Sequence, residues 1–182
     1  MSNLRAYVMN SKVQGESFSA EVDGKTVRDT SVFTCDGQRF ILQTKPEQLA
    51  EILVENVAPQ QVTGTMEAIE RICWLLAFAT QCHVACYGHD HPDGSPHKVR
   101  NGVHRSGQNA DPVIEPADGA AIRKFVDQAY PQFKALEGAR SLKVVIDYML
   151  QAARPGLPME CRLVFLSVLL ENMKQTYGTQ LQ

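Results

Sequence analysis

The chain has 182 residues, a length that fits one domain or two small ones. Apolar residues make up 44% and charged residues 21%, which is close to the average of globular chains and excludes a disordered protein, a collagen-like fibre and a disulfide-dense miniprotein. Eighteen Lys and Arg against twenty Asp and Glu give a net charge of −2, so no overall field attracts the chain to nucleic acid or to a membrane. The five histidines, however, all lie between residues 83 and 104.

The sequence predicts a cytoplasmic protein that does not associate with membranes. The first residues, MSNLRAYVMN, lack the apolar segment and the cleavage site of a secretory signal. The longest apolar runs, 74–79 and 163–170, are shorter than the roughly 18–20 residues that span a bilayer. An odd number of cysteines in a chain without an export signal favours reduced thiols.

The first forty residues predict β-structure. Segments 5–9, 17–22 and 32–35 are strand candidates, and Asp-Gly pairs at 23–24 and 36–37 follow two of them. Asp-Gly favours a type I′ hairpin turn because both central residues need positive φ. Two such turns in succession predict a small antiparallel β-meander within residues 1–43.

From residue 44 onward the sequence predicts a mainly helical part with about five helices. The first begins at Thr44, where Thr-Lys-Pro-Glu combines a capping box with proline in the first turn, and it ends before Pro59. The second begins near Thr65, with apolar residues at three- and four-residue spacing.

The third and fourth helices follow a long polar segment. The third spans about 118–136, where Asp118 is the expected cap and Pro131 is expected to kink or end the helix. The fourth spans about 140–153 and ends at the helix-breaking residues 154–156, Arg-Pro-Gly.

The fifth helix, from Pro158 to Tyr177, is apolar on two sides. One stripe consists of Met159, Leu163, Leu166, Leu170, Met173 and Tyr177, and the other of Val164, Phe165, Val168 and Leu169. A helix that is apolar on both sides must be buried on both sides, either at the centre of the protein or against a partner chain. Since little of the chain follows this helix to cover a second side, we predict a homodimer whose interface contains the second stripe.

Between the second and third helices, residues 81–116 carry the unusual chemistry of the chain. Zinc requires three or four donors at one point, and the segment is rich in candidates: Cys82, His83, Cys86, His89, Asp90, His91, Asp93, His97 and His104. The spacing matches no standard zinc finger. Solvated loop histidines are the alternative interpretation.

Residues 83–89 and 97–105 are expected to pair as a β-hairpin around 92–96, which consists of turn-forming residues. In a regular strand, positions 82 and 86 share one face and positions 83, 89 and 91 share the other. Alternation therefore separates the cysteines from most of the histidines. The candidate metal site consists of His83, His89 and His91, with His97 or His104 from the returning strand.

The returning strand also predicts a basic stripe. The basic residues of this strand are Lys98, Arg100 and Arg105, and no acidic residue lies between Lys98 and Asn109. Tyr87, on the preceding strand of the expected hairpin, is a candidate for stacking on the bases of a nucleic acid. The stripe is a candidate RNA-binding surface. Its alternative interpretation is a solvated strand edge, where lysine prevents edge-to-edge aggregation.

The C-terminal residues 141–178 carry a resemblance to a known family. An Ile-Asp-Tyr helix at 146–148 is followed by a proline-containing break and by a helix that ends in Leu-Glu-Asn-Met-Lys at 170–174. This pattern resembles the helical segment of uncharacterised bacterial proteins that combine a β-rich N-terminal region with a C-terminal HEPN-like domain of the ApeA type. The resemblance covers about a fifth of the chain.

Active HEPN ribonucleases resemble one another in an Arg followed, after four to six residues, by a catalytic His. No histidine of this chain has an arginine at that distance, since only three residues separate Arg100 from His104. The resemblance therefore implies a binding or regulatory role without ribonuclease chemistry. Phosphate-binding glycine loops, nucleophile elbows and His-Glu-x-x-His motifs are also absent.

The sequence as a whole predicts a single α+β domain. We expect an N-terminal antiparallel meander, about five helices and a β-hairpin inserted between the second and third helices. The expected function is that of a non-enzymatic interaction or regulatory protein without a cofactor, which binds a protein partner, a second copy or RNA in a bacterial cytoplasm. The alternative is a metal-dependent hydrolase, with zinc held by the histidine segment.

Overall fold

The strands of the N-terminal part pair into one antiparallel sheet. A computed structural model describes residues 2–22, 25–45, 49–90, 98–99 and 110–178. In these ranges the strands are β1 Ser2–Met9, β2 Ser17–Val22, β3 Lys25–Cys35, β4 Gln38–Thr44, β5 Leu49–Val57, β6 Ala85–Asp90 and β7 Lys98–Val99. Their order across the sheet is β2-β3-β4-β5-β1-β6-β7, so the first strand of the chain lies inside the sheet.

The predicted meander is confirmed and is larger than expected. Asp36 and Gly37, between β3 and β4, have φ values of 51° and 74°, the positive φ that a type I′ turn requires. The second predicted turn, at residues 23–24, lies outside the described residues.

Four α-helices belong to the described part of the chain. They are α1 Val62–Thr80, α2 Gly119–Leu136, α3 Leu142–Ala152 and α4 Met159–Gly178. Asp118 caps α2 as expected, because its carboxylate accepts a hydrogen bond of 2.9 Å from the backbone nitrogen of Ala121. No described helix is both long and apolar enough to span a bilayer.

One face of the sheet and the inner sides of the helices form the core. Along β1, the side chains of Leu4, Ala6 and Val8 are buried, while those of the alternate residues Arg5 and Tyr7 lie on the outer face. α1 and α2 cover the inner face with apolar side chains at helical spacing, which are Ile69, Ile72, Leu76, Ile122, Val126 and Phe133. Sheet and helices thus share one hydrophobic core.

The helix predicted from Thr44 to Pro59 is wrong, because this part of the chain forms the end of β4 and the strand β5. Thr44 caps no helix; its hydroxyl donates a 2.6 Å hydrogen bond to the carbonyl oxygen of Val13. In β5, buried Ala50, Ile52 and Val54 alternate with more exposed residues. The apolar residues of this segment also fit helical spacing. The segment forms a strand because its backbone pairs with both β1 and β4.

Two further expectations differ from the structure. Pro131 neither ends nor interrupts α2; it lies on the exposed side of the helix, where water can satisfy the carbonyl that proline leaves without its usual donor. The hairpin between α1 and α2 exists as β6 and β7, but it is part of the main sheet, since β6 pairs with β1.

Candidate functional site

β6 carries the first part of the histidine-rich segment, and a bulge decides which of its side chains share a face. Val8 of β1 lies opposite Cys86, whereas Tyr7 lies opposite Gly88, so β6 holds one extra residue in the pairing. Cys86 and His89 are consequently both buried on the core side of the sheet. The separation expected from strict alternation is therefore wrong at this point.

A single sequence signal marks this bulge. Gly88 lies inside the strand, and glycine inside a strand often indicates a bulge. The carbonyl oxygen of Gly88 accepts a hydrogen bond of 3.3 Å from the Sγ of Cys86. Strict alternation without a bulge at Gly88 places Cys86 and His89 on opposite faces of the strand, which is wrong.

The described residues contain only part of the predicted metal site. His83 precedes β6, and its Nε2 lies 3.6 Å from Oδ1 of Asp147 in α3. His91, His97 and His104 lie outside the described residues, so the five-histidine site stays a prediction. Within the ranges that the structure describes, no three His, Cys, Asp or Glu side chains converge as metal ligands.

The predicted basic stripe is also only partly described. Lys98 in β7 lies opposite His89, and Arg100 and Arg105 lie outside the described residues. Near this edge, on the outer face of the sheet, the hydroxyl of Tyr7 donates a 2.6 Å hydrogen bond to Asp90. That hydrogen bond to a carboxylate is the main cause that raises the pKa of Tyr7.

A polar cleft of about 600 Å³ lies between the β3–β4 turn, the start of α1 and the end of α2. Its cations are already paired within the protein. Lys134 Nζ is 2.8 Å from Asp36 Oδ2, and Arg71 Nη2 is 2.6 Å from Glu137 Oε1. A ligand anion would have to compete with these carboxylates, which makes the cleft a weak anion site.

The cleft also contains a cysteine and borders a tyrosine. Burial raises the pKa of Cys35 to about 12, so its sulfur is a neutral thiol rather than a nucleophilic thiolate. Burial is likewise the main cause that raises the pKa of Tyr130 to about 12. Sequence reasoning did not predict the cleft, because its lining comes from segments that are distant along the chain and share no motif.

α4 exposes more large apolar side chains than any other described helix. Its exposed stripe is the first stripe of the sequence analysis, here named the α4 seam: Met159, Leu163, Leu166, Leu170, Met173 and Tyr177. The exposed fraction of these residues ranges from 37% for Met173 to 65% for Met159.

The second apolar stripe of α4 is divided between α3 and solvent. Phe165 and Leu169 are half-buried, and the ring of Phe165 lies 6.0 Å from that of Tyr148 in α3. Val164 and Val168 are 61% and 40% exposed. Two of the four residues predicted for the oligomer interface thus lie on the side of α4 that packs within the protein.

Both ends of α4 are attached to neighbouring segments by arginine side chains. Arg162 Nε donates a 3.0 Å hydrogen bond to the carbonyl oxygen of Leu157, in the loop before the helix. Near the other end, the Arg140 guanidinium lies 3.7 Å from the ring centre of Tyr177 and donates to the carbonyl oxygen of Thr176. α4 is therefore fixed on the protein body while the seam stays exposed.

No family model, curated protein or solved structure matches this chain. The HEPN-like resemblance of residues 141–178 therefore stays a prediction, and the functional argument rests on the chain itself. The predicted metal site and the basic stripe are only partly described, and the cations of the polar cleft are already paired. The α4 seam is fully described, and its exposure requires an explanation.

Proposed function

We propose that this chain is a non-enzymatic interaction protein that binds another protein chain through the α4 seam. One observation carries the proposal: six large apolar side chains lie exposed in one line along a helix. Isolated exposed apolar residues are normal, but contiguous patches above a few hundred Å² are rare on monomers and mark interaction sites. Leaving such a surface in water costs about 25 cal/mol for each Å² that a partner would cover.

The chemistry of the other sites favours binding over catalysis. The thiol of Cys35 is neutral, and the cations of the polar cleft are held by carboxylates of the protein. Nucleophilic catalysis requires an activated side chain next to a base, and neither feature supplies one. The metal-dependent hydrolase, which remains the alternative, would depend on histidines outside the described residues.

The composition of α4 favours a protein partner over RNA. The helix carries two acidic residues, Glu160 and Glu171, and two basic ones, Arg162 and Lys174. RNA-binding surfaces need an excess of positive charge for the phosphates together with aromatic rings for the bases. An apolar seam with balanced charges instead resembles the centre and rim of a protein–protein interface.

Site-specific photocrosslinking in the cells that produce the full chain tests this proposal. A photoreactive amino acid replaces Leu166 in the seam, and a matched control replaces Lys124, an exposed residue of α2. We expect Leu166 to form crosslinks to a protein chain, identified by mass spectrometry, and Lys124 to form none. Crosslinks at Leu166 to RNA, or no more crosslinks than at Lys124, would overturn the proposal.

A further inference from the structure

The α4 seam has the spacing of a coiled-coil interface. Its members follow one another at intervals of 4, 3, 4, 3 and 4 residues. Alternating steps of three and four define the heptad positions a and d, whose side chains fit between those of a facing helix. Positions d are Met159, Leu166 and Met173, and positions a are Leu163, Leu170 and Tyr177.

The two flanks of the seam differ in what covers them. The g positions, which precede each a position, are Arg162, Leu169 and Thr176. All three are half-buried and lie on the same side of the helix as Phe165, which packs on α3. The e positions, which follow each d position, are Glu160, Ser167 and Lys174, and all three are exposed. α3 thus covers the g flank, while the seam and the e flank are open to a facing helix.

An antiparallel second copy of α4 satisfies both the seam and the e flank. In this alignment every apolar residue of the seam packs against one residue of the other copy. Met159 packs with the partner's Tyr177, Leu163 with the partner's Met173, and Leu166 with the partner's Leu170, and the two-fold symmetry forms each of these layers twice. In antiparallel coiled coils, e positions face e positions. Glu160 therefore lies beside the partner's Lys174, Lys174 lies beside the partner's Glu160, and Ser167 lies beside the partner's Ser167.

A parallel pair lacks this charge complementarity. In parallel coiled coils, e positions face g positions of the partner, so Lys174 would lie beside the partner's Leu169 and Ser167 beside the partner's Arg162. Neither Glu160 nor Lys174 then meets an opposite charge on the facing α4. Within its own helix, Lys174 has only a distant ion pair, 3.9 Å from Glu171, and both side chains are more than half exposed.

We propose that the α4 seam binds a second copy of this chain in antiparallel orientation, about a two-fold axis that passes beside Ser167. This inference rests on the proposed function and names its partner. Burying six partly exposed apolar side chains from each copy removes on the order of 1,000 Å² of surface, the size at which specific interfaces begin. The two-fold arrangement uses the same surface on both copies and closes at the dimer.

Charge reversal at the e positions tests the orientation. In E160K two positive charges would meet at each end of the interface, and in K174E two negative charges would meet there. We expect each variant to dimerise about tenfold more weakly than the unmodified chain by light scattering and sedimentation. An equimolar mixture of the two variants, and the double variant E160K/K174E, restore the opposite charges and should restore the dimer. Reversal at the exposed Lys124 of α2, K124E, is the control and should leave the dimer unchanged.

A thiol crosslink at the two-fold axis gives an independent measurement. The substitution S167C is made together with C161S, because Cys161 is the exposed native cysteine and Cys35, Cys73, Cys82 and Cys86 are buried. A short bismaleimide should link two copies through position 167 in an antiparallel pair. In a parallel pair the two e flanks lie on opposite sides, and no such link forms.

The outcomes separate this inference from the proposed function. A monomer throughout the micromolar range, or a dimer that neither charge reversal nor the S167C link affects, would overturn the antiparallel second copy. If the chain is monomeric and Leu166 still crosslinks to a different protein, the partner assigned here is wrong and the proposed function stands. If Leu166 forms no protein crosslink, both are overturned.

Discussion

Arg71 Nε donates a 2.7 Å hydrogen bond to Oε1 of Glu137, and this contact joins the middle of α1 to the end of α2. Both side chains are largely buried, with exposed fractions of 13% and 18%. Glu137 Oε2 also lies 3.6 Å from the Nζ of Lys143 in α3. One carboxylate therefore connects α1, the end of α2 and α3, and α3 is the helix that packs against α4.

Removal of this carboxylate should destabilise the fold. In E137A the Arg71 guanidinium would stay buried without its main partner, and breaking one side of a buried pair typically costs about 3 kcal/mol. Urea unfolding followed by circular dichroism measures this loss. The matched control is E67A, since Glu67 pairs with the same arginine at 3.4 Å but is 58% exposed, and exposed pairs contribute about 0.5 kcal/mol or less. Equal losses in the two variants would contradict the buried link.

The β3–β4 turn should make part of the stability dependent on pH. A hydrogen bond from Lys134 is the main cause that lowers the pKa of Asp36 below its ordinary value of 3.8. A carboxyl whose pKa is lower in the folded protein stabilises the fold above its unfolded pKa, and this stabilisation is lost as the pH falls through the folded pKa. We expect the contribution of Asp36 to the free energy of unfolding to stay constant between pH 7 and pH 5. It should begin to fall near pH 4 and decrease further at lower pH.

The variant D36N isolates this contribution. Asn-Gly suits a type I′ turn as well as Asp-Gly does, so the turn stays while the titrating group disappears. We expect the stability difference between the unmodified chain and D36N to shrink as the pH falls below about 4 in urea titrations. A difference that is constant between pH 6 and pH 3 would contradict the role of Asp36.

The parts of the fold that local sequence determines were predictable. The turn at Asp36-Gly37 requires positive φ, and Asp118 is a polar side chain directly before an amphipathic run, so both gave correct predictions. The segment Leu49–Val57 did not, because its apolar residues fit helical spacing as well as strand alternation. Hydrogen bonding to β4 and to β1, of which β1 is distant in sequence, makes the difference there.

The candidate sites likewise combine features that the local sequence shows with features that depend on tertiary packing. The seam of α4 was visible as an apolar stripe, but the side of the helix that contacts α3 depends on tertiary packing. The sequence analysis accordingly assigned the interface to the stripe that contains Phe165, which packs on Tyr148. The pair of Arg71 and Glu137 is separated by 66 residues and belongs to no motif, so no sequence pattern points to it.

The purified chain should contain no stoichiometric zinc. The bulge in β6 brings Cys86 and His89 to one buried face, but a zinc site needs three or four donors, and no third described His, Cys, Asp or Glu side chain completes a group with them. We expect less than about a tenth of an equivalent of zinc, iron or nickel in tag-free protein by elemental analysis. One equivalent that disappears in C86S or H89A would contradict this prediction and favour the metal-dependent alternative.

Lysines placed in the α4 seam should abolish self-association. In L166K/L170K, two charges enter each of the central layers, where water is excluded in the dimer, so we expect dissociation at least a hundredfold easier. The control V164K/V168K places the same charges on the same helix, at positions of similar exposure that lie outside the seam. Light scattering measures the mass of both variants, and circular dichroism checks that their helix content is unchanged. If V164K/V168K is monomeric and L166K/L170K is dimeric, the interface contains Val164 and Val168, as the sequence first suggested. That result would contradict an interface formed by the α4 seam.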